Sequence, residues 1–131
     1  MAMIRVFLAD DNRDMLSDLR QELADEFEVV GTAENGKDVL KAVVELDPDV
    51  LALDITMPYL HGIEVAKYLK AANCRTSILF LTIHEEPEYI SAAFAAGALG
   101  YVSKRRLATD LKPAIREVFA GRRFLSPSLH T

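Results

Sequence analysis

The chain has 131 residues, of which 50% are hydrophobic and 27% are charged. This length suits one domain, and this composition excludes disordered, collagen-like and repeat proteins. The longest apolar runs, such as 78–81, fall far short of the roughly 20 residues of a membrane helix, and no leader-like stretch precedes them, so we expect a cytoplasmic protein with no membrane partner. A single cysteine, Cys74, argues against an internal disulfide and against a zinc site.

The net charge of −5 is distributed unevenly along the chain. Residues 1–103 contain eight Lys and Arg against eighteen Asp and Glu, whereas residues 104–131 contain seven against two. A basic segment can contact nucleic acid, but the acidic majority of the chain repels phosphate. We therefore expect no sequence-specific DNA binding by this chain alone.

Short apolar runs alternate with segments of helical spacing from one end of the chain to the other, which is typical of strands joined by crossover helices. Because the strands are almost continuously apolar, both faces of their sheet should be covered. The pattern predicts an α/β fold with a doubly wound, five-stranded parallel sheet and helices on both faces. The predicted strands are 4–9, 27–33, 50–53, 78–81 and 101–103; the helices are 12–25, a second from the Asn35-Gly36 turn to before Pro48, a third after Gly62, then 87–97 and 107–121.

Polar side chains follow four of these strands, at the sheet edge where such folds place their functional crevice. Three carboxylates in one crevice repel each other unless a hard divalent cation lies between them, and Mg²⁺ prefers such oxygen ligands. A lysine and a hydroxyl beside them suit a phosphoryl group, and a carboxylate there can act as a nucleophile that forms an acyl phosphate. The residues are Asp10-Asp11, Asp54, Thr82 and Ser103-Lys104.

The chain resembles the receiver domain of two-component response regulators from residue 4 to about residue 121. The resemblance rests on Asp10-Asp11, DITMP at 54–58, Gly62, LFLT at 79–82 and GYVSK at 100–104. It implies a flavodoxin-like sheet with strand order 2-1-3-4-5. The segment GRRFLSPS at 121–128 is similar to the end of receivers in NarL/FixJ-type regulators, which implies a receiver domain at 1–121 and, at 122–131, the start of a linker to a DNA-binding domain.

The same resemblance assigns roles to the residues at the strand ends. Asp54 would accept the phosphoryl group. Mg²⁺ would be bound by Asp54, by Asp11 directly, by Asp10 mainly through water, and by the backbone carbonyl of Thr56.

Three further residues receive roles from the resemblance. Lys104 would pair with the phosphoryl oxygens, Thr82 would supply the switch hydroxyl, and Tyr101 would be the switch aromatic. Arg105 departs from the family pattern, in which proline usually follows the lysine, so the loop after Lys104 is expected to be more mobile or to differ in peptide geometry.

The function implied is a signalling switch rather than an enzyme. A sensor histidine kinase would phosphorylate Asp54, and phosphorylation would favour a homodimer that regulates transcription through a DNA-binding domain outside this chain. The charge pattern indicates a dimer face that includes the last helix, where Lys112 and Arg116 would meet acids of the partner's first helix, such as Asp14, Asp18 or Glu22.

Several alternatives remain open at this point. Asn12 or Asp11 can serve as a helix cap without binding metal, Tyr101 can be an ordinary half-buried tyrosine, and His84 lies near enough to Thr82 to affect water attack on an acyl phosphate. The rival functions are a single-domain receiver that docks on another protein, a pseudo-receiver, and a haloacid-dehalogenase-like phosphohydrolase. The last of these expects a DxD motif, whereas Asp10 and Asp11 are adjacent.

Overall fold

The computed structural model describes residues 3–57 and 60–129. Every predicted strand and helix is present and in the predicted order. The strands are β1 (Arg5–Ala9), β2 (Glu28–Ala33), β3 (Val50–Leu53), β4 (Ser77–Thr82), β5 (Gly100–Ser103) and β6 (Phe124–Leu125). The helices are α1 (Arg13–Leu23), α2 (Gly36–Leu46), α3 (Gly62–Ala71), α4 (Pro87–Ala95) and α5 (Leu107–Phe119), and short 3₁₀ turns cover Lys104–Arg106 and Pro127–Leu129.

The strands form one parallel sheet in the order β2-β1-β3-β4-β5-β6. This confirms the doubly wound α/β fold and the order 2-1-3-4-5. Helices cover both faces: α1 and α5 pack on one, and α2, α3 and α4 on the other. In β1, Val6 and Leu8 pack in the core under α1 and α5, whereas Phe7 and Ala9 pack in the core under α2, α3 and α4. Burial on both sides explains the continuous apolar runs of the strands.

The sheet has a sixth strand that the sequence did not predict. Phe124 pairs with Gly100 and Leu125 with Tyr101, so β6 extends the edge of the sheet next to β5. Two residues are too few to show an alternating pattern, because a period of two needs about four residues to be recognised. The residues expected to begin a linker therefore pack on the domain as far as Leu129, while His130 and Thr131 lie outside the described residues.

Capping residues and glycines define several helix ends. The Asn35-Gly36 pair, predicted as a turn, begins α2: the Asn35 side chain accepts a hydrogen bond from the Asp38 N–H (3.0 Å). Gly97 and Gly121 have positive φ angles of 108° and 82°, which supports the predicted ends of α4 and α5. Across 3–57 and 60–129, no helix combines the length and apolar character needed to cross a membrane.

Candidate functional site

Three carboxylates meet at the carboxyl edge of the sheet, as predicted. Asp10 and Asp11 follow β1, and Asp54 follows the neighbouring strand β3, whose last hydrogen bond to β1 runs from the Asp54 N–H to the Ala9 carbonyl (3.0 Å). One oxygen from each of the three carboxylates lies within 4.8 Å of the others. Asp10 and Asp54 are buried and Asp11 is exposed, so Asp11 forms the solvent side of the cluster.

Lys104 is brought to this cluster by the end of β5. Its Nζ donates to Oδ2 of Asp10 (2.6 Å) and to Oδ2 of Asp54 (3.2 Å), and only 15% of its side chain is exposed. Burial by itself would lower the pKa of Lys104, but the hydrogen bond to Asp10 and the charges of both carboxylates outweigh burial and raise the pKa. The lysine is therefore protonated at neutral pH and offsets one of the three negative charges.

The surroundings of Asp54 disfavour the charged form of its carboxyl group. Burial raises the pKa of its carboxyl group above the usual value, and the nearby Asp10 carboxylate acts in the same direction. Lys104 and the backbone N–H of Ile55 oppose this shift without cancelling it. A buried carboxylate beside a second carboxylate favours the approach of another positive charge.

The N-cap of α1 is Asn12 rather than Asp10 or Asp11. Asn12 caps α1, since its side chain accepts from the Met15 N–H (3.1 Å), and the Asn12 N–H donates to Oδ1 of Asp10 (3.0 Å). This settles the capping alternative in favour of Asn12. The Asp11 carboxylate therefore remains at the cluster, where it is available to a ligand.

Gly62 allows α3 to begin directly against the backbone that follows β3. Its N–H donates to the Ile55 carbonyl (2.7 Å), and a Cβ at this position would overlap the Asp54 carbonyl oxygen and the Ile55 backbone. A larger residue would displace the backbone of Asp54 or the first turn of α3. The glycine in the motif thus has a packing role at the site.

The cluster opens to solvent through a cleft of about 350 Å³. The cleft is lined by Asp11, Asp54, Thr56, Ile83, His84 and Lys104. The donor set fits a hard divalent cation, because its oxygens are carboxylates and their charge exceeds that of Lys104. Thr56 lies in this cleft as expected, with an exposed side chain.

Thr82 and Tyr101 both contact the backbone of His84. The fully buried Thr82 Oγ1 accepts from the His84 N–H (3.1 Å), and the Tyr101 hydroxyl donates to the His84 carbonyl (2.7 Å). Tyr101 is fully buried, between the rings of Phe80 and Phe94, rather than half-buried, and burial raises the pKa of its hydroxyl. The two residues predicted to act together are thus connected through one intervening residue.

The His84 side chain has contacts that the sequence did not reveal. Its Nε2 lies 3.1 Å from Oγ1 of Thr56, which also lines the cleft, and its ring stacks on Tyr89 with centroids 4.3 Å apart. The proximity of His84 to the site follows from its position two residues after Thr82. Its partner Thr56 is 28 residues away, so no local pattern indicates the contact.

Arg105, which replaces the usual proline, forms a bond that proline cannot. Its N–H donates to the Ser103 Oγ (3.2 Å), which caps the 3₁₀ turn Lys104–Arg106. No peptide bond within 3–57 and 60–129 is cis. The loop after Lys104 is therefore held by a local hydrogen bond in place of the proline ring.

Comparisons with known proteins identify the family of this chain. A family model described as the response regulator receiver domain matches residues 6–116. The uncharacterized transcriptional regulatory protein YvfU of Bacillus subtilis (strain 168) is 40% identical over 129 residues, which cover 97% of this chain but only 64% of YvfU.

Solved structures show the same likeness at the level of the fold. A LuxR-family two-component response regulator from Aurantimonas sp. SI85-9A1 has a TM-score of 0.92 at 30% identity, covering 98% of this chain and 93% of that one. The isolated REC domain of RcsB from Salmonella enterica serovar Typhimurium, solved in the presence of phosphomimetic BeF3⁻, has a TM-score of 0.88 at 31% identity, covering 97% and 96%. The chain belongs to the response regulator receiver domain family and is the receiver domain of a two-component response regulator.

Proposed function

We propose that this receiver is a phosphorylation-activated switch in which Asp54 accepts a phosphoryl group from a sensor histidine kinase. The observation that supports this most is the placement of Asp54, which lies at the cleft, within 4.8 Å of two other carboxylates and 3.2 Å from Lys104. The similar RcsB receiver was solved in the presence of a phosphomimetic, which also supports an acceptor role for this site.

In the proposed transfer, a carboxylate oxygen of Asp54 attacks the phosphorus of a phosphohistidine. The new P–O bond forms as the P–N bond breaks, and the electron pair stays on the imidazole nitrogen, which takes up a proton. The Lys104 ammonium pairs with the phosphoryl oxygens as charge develops on them. Asp10, Asp11, Asp54 and the Thr56 carbonyl would hold Mg²⁺, which supplies positive charge to offset that of the phosphoryl group.

The family and its transcription-regulatory relatives are consistent with a regulatory protein rather than an enzyme. The phosphohydrolase alternative loses its support, since the chain belongs to the receiver family and its first two acids are adjacent. Self-phosphorylation from a small donor, and self-dephosphorylation, remain part of our proposal.

We expect acetyl phosphate to label this chain only in the presence of Mg²⁺, as measured by intact mass with and without a chelator. Asp11→Ala should weaken Mg²⁺ binding, measured by calorimetry, because it removes a direct oxygen ligand. Loss of a residue that only supports a metal ligand costs roughly 10- to 100-fold in affinity, so we expect a loss at least that large. Asp18→Ala, at an exposed position of α1, is the matched control. Equal labelling in chelator, or an unchanged Mg²⁺ titration for Asp11→Ala, would contradict the metal role.

Thr82 and Tyr101 are proposed to transmit phosphorylation to the outer surface of the domain. Because both are bonded to the His84 backbone, a Thr82 hydroxyl that turns towards the phosphoryl group gives up its bond to the His84 N–H. The β4–α4 loop and Tyr101 then adjust together. Such a two-state shift is favoured when the phosphoryl group binds the second arrangement better.

We also propose homodimerisation on phosphorylation, but the structure does not support the predicted role of Lys112 and Arg116 in it. Lys112 already pairs with Asp25 (3.1 Å) and Arg116 with Glu26 (2.6 Å) in the same chain, so neither basic residue is free to attract a partner. The remaining support is the shallow groove between α1 and α5, lined by Met15, Asp18, Leu19, Glu22, Leu107, Ala108 and Leu111. Apolar contacts there would contribute more than exposed ion pairs.

Beryllofluoride with Mg²⁺ is expected to convert the wild-type chain from monomer to dimer, as measured by sedimentation velocity. Thr82→Ala should still bind beryllofluoride but remain monomeric, because the acceptor is intact but no hydroxyl is left at position 82 to turn from the His84 N–H towards the phosphoryl group. Thr32→Ala, at an exposed threonine of β2, serves as the control and should dimerise. A wild-type monomer at high protein concentration would contradict the dimer, and a dimeric Thr82→Ala variant would contradict the switch.

We propose transcription regulation as the output, with DNA bound by a further C-terminal domain. The support is that the chain spans 64% of the length of YvfU, which is named as a transcriptional regulatory protein. Phosphorylation would then pair two DNA-binding domains and raise their affinity for paired half-sites. The reading frame of the natural gene after Thr131 tests this, since a stop codon there would favour the docking alternative.

A further inference from the structure

Ser126 joins three parts of the domain although it lies outside every recognised motif of the site. It follows β6, in the C-terminal segment, by which we mean residues 122–129, and it is fully buried. Its N–H donates to the Tyr101 carbonyl (3.0 Å), and its Oγ donates to Oδ2 of Asp110 in α5 (2.7 Å). The same Oγ accepts a hydrogen bond from the Ser103 N–H at the end of β5 (3.1 Å).

Ser103 extends this network to the residues around the candidate site. The Ser103 Oγ donates to Oε2 of Glu85 in the β4–α4 loop (2.6 Å) and accepts from the Arg105 N–H (3.2 Å). Lys104 lies between Ser103 and Arg105 in the chain. The backbone on both sides of Lys104 is thus held by hydrogen bonds, and the bond to Ser126 is the one that comes from the C-terminal segment.

The network depends on the Ser126 hydroxyl because its neighbours have poor substitutes. Without it, the buried Asp110 carboxylate keeps, among residues 3–57 and 60–129, only Arg106, whose Nε is 3.9 Å away, and the Ser103 N–H loses its acceptor. Buried polar groups are seldom left unpaired, so the end of β5 would have to move to find new partners. Lys104 is the next residue, and it would move with the strand.

We propose that Ser126 is a positioning residue for Lys104, so that the C-terminal segment helps to hold the lysine between Asp10 and Asp54. This inference rests on the proposed phosphoryl transfer to Asp54. Because coupling between two sites is reciprocal, a movement of Lys104 towards a phosphoryl group also changes how the segment docks. The C-terminal segment therefore responds to the phosphorylation of Asp54.

Ser126→Ala tests the positioning role, and Ser128→Ala, two residues further along and exposed, is its matched control. We expect Ser126→Ala to lower the maximal rate of labelling by acetyl phosphate about tenfold, because a small displacement of a group that stabilises the transition state slows transfer. Mg²⁺ affinity should stay within about twofold of the wild type, because Asp10, Asp11 and Asp54 remain in place. Ser128→Ala should match the wild type in both measurements.

A second variant separates positioning from stability. In Ser126→Ala the buried Asp110 is left without its closest donor, and Asp110→Asn in the same chain removes that uncompensated charge. We expect the double variant to melt at a higher temperature than Ser126→Ala while its labelling stays slow, because the Ser103 N–H still lacks its acceptor. If the labelling rate recovers together with the melting temperature, the role of Ser126 is only structural and the proposal is wrong.

Amide hydrogen exchange in the free protein distinguishes this proposal from the proposed function. We expect Ser126→Ala to speed exchange at Ser103, whose N–H it leaves unbonded, and at Arg105 beyond the lysine, with no phosphodonor present. Unchanged exchange at both amides overturns the positioning role whether or not Asp54 is phosphorylated. If the wild type shows no labelling by acetyl phosphate while exchange responds as expected, the proposed function fails and the link from Ser126 to the Lys104 backbone stands.

Discussion

Replacing Asp54 with asparagine is expected to abolish phosphoryl transfer to this chain. The amide has nearly the shape of the carboxylate but no anionic oxygen to attack phosphorus. Intact-mass measurement after incubation with acetyl phosphate and Mg²⁺ should show an adduct on the wild type and none on Asp54→Asn. The exposed Asp18→Asn variant should be labelled like the wild type.

The loss should not reflect unfolding, because Asp54→Asn relieves an unfavourable charge. A carboxyl group whose pKa is raised by folding is less stable as an anion in the folded than in the unfolded chain, so ionised Asp54 costs stability at pH values above its folded pKa. Lys104 keeps its 2.6 Å bond to Asp10 in the variant. We therefore expect a melting temperature no lower than that of the wild type; an adduct that forms on the folded variant at the wild-type rate would show that Asp54 is not the acceptor.

Lys104→Met should slow labelling of Asp54 by about 10²- to 10³-fold, the usual cost of removing one donor that stabilises transition-state charge. Methionine retains much of the length of the side chain but has no charge and no N–H. Mg²⁺, in contrast, should bind at least as tightly, because the substitution removes a positive charge from beside the carboxylates.

This opposite response of rate and metal affinity distinguishes a direct role of Lys104 from general damage to the site. Damage to the carboxylate cluster would weaken both. Lys41→Met, at an exposed lysine of α2, is the control and should change neither quantity. Labelling of Lys104→Met at the wild-type rate would remove the lysine from the proposed transfer.

The backbone of His84 is a point at which the proposed switch and the cleft meet. Thr82 and Tyr101 are bonded to its N–H and carbonyl, while its ring lies against Thr56 and Tyr89. In the proposed switch, a change at Thr82 would reach Tyr101 through the backbone of this one residue. The fully buried Tyr101 can respond only if its neighbours Phe80 and Phe94 also adjust.

The amino-acid sequence determined the order of strands and helices, the class of fold and the place of the candidate site. Continuous apolar runs ending in Asp10-Asp11, Asp54 and Lys104 were sufficient, because parallel strands bring their carboxyl ends to one edge of the sheet. No contact between particular side chains was needed for that inference. The identity of the capping residue, Asn12 rather than Asp11, needed the structure, since both residue types are good caps.

Only the tertiary structure decided which distant side chains meet. Strand β6 is too short for a periodic pattern, and it forms because β5 offers an unpaired edge beside it. Lys112 and Arg116 pair with Asp25 and Glu26, which lie more than 80 residues away in sequence. Their charge alone therefore suggested ion pairs with a second chain, whereas the structure shows ion pairs within this one. The contacts of Ser126 with Ser103 and Asp110 likewise depend on how β6 and α5 pack around β5, because hydrogen bonds between separate elements are set by the packing of the whole domain and leave no local pattern in the chain.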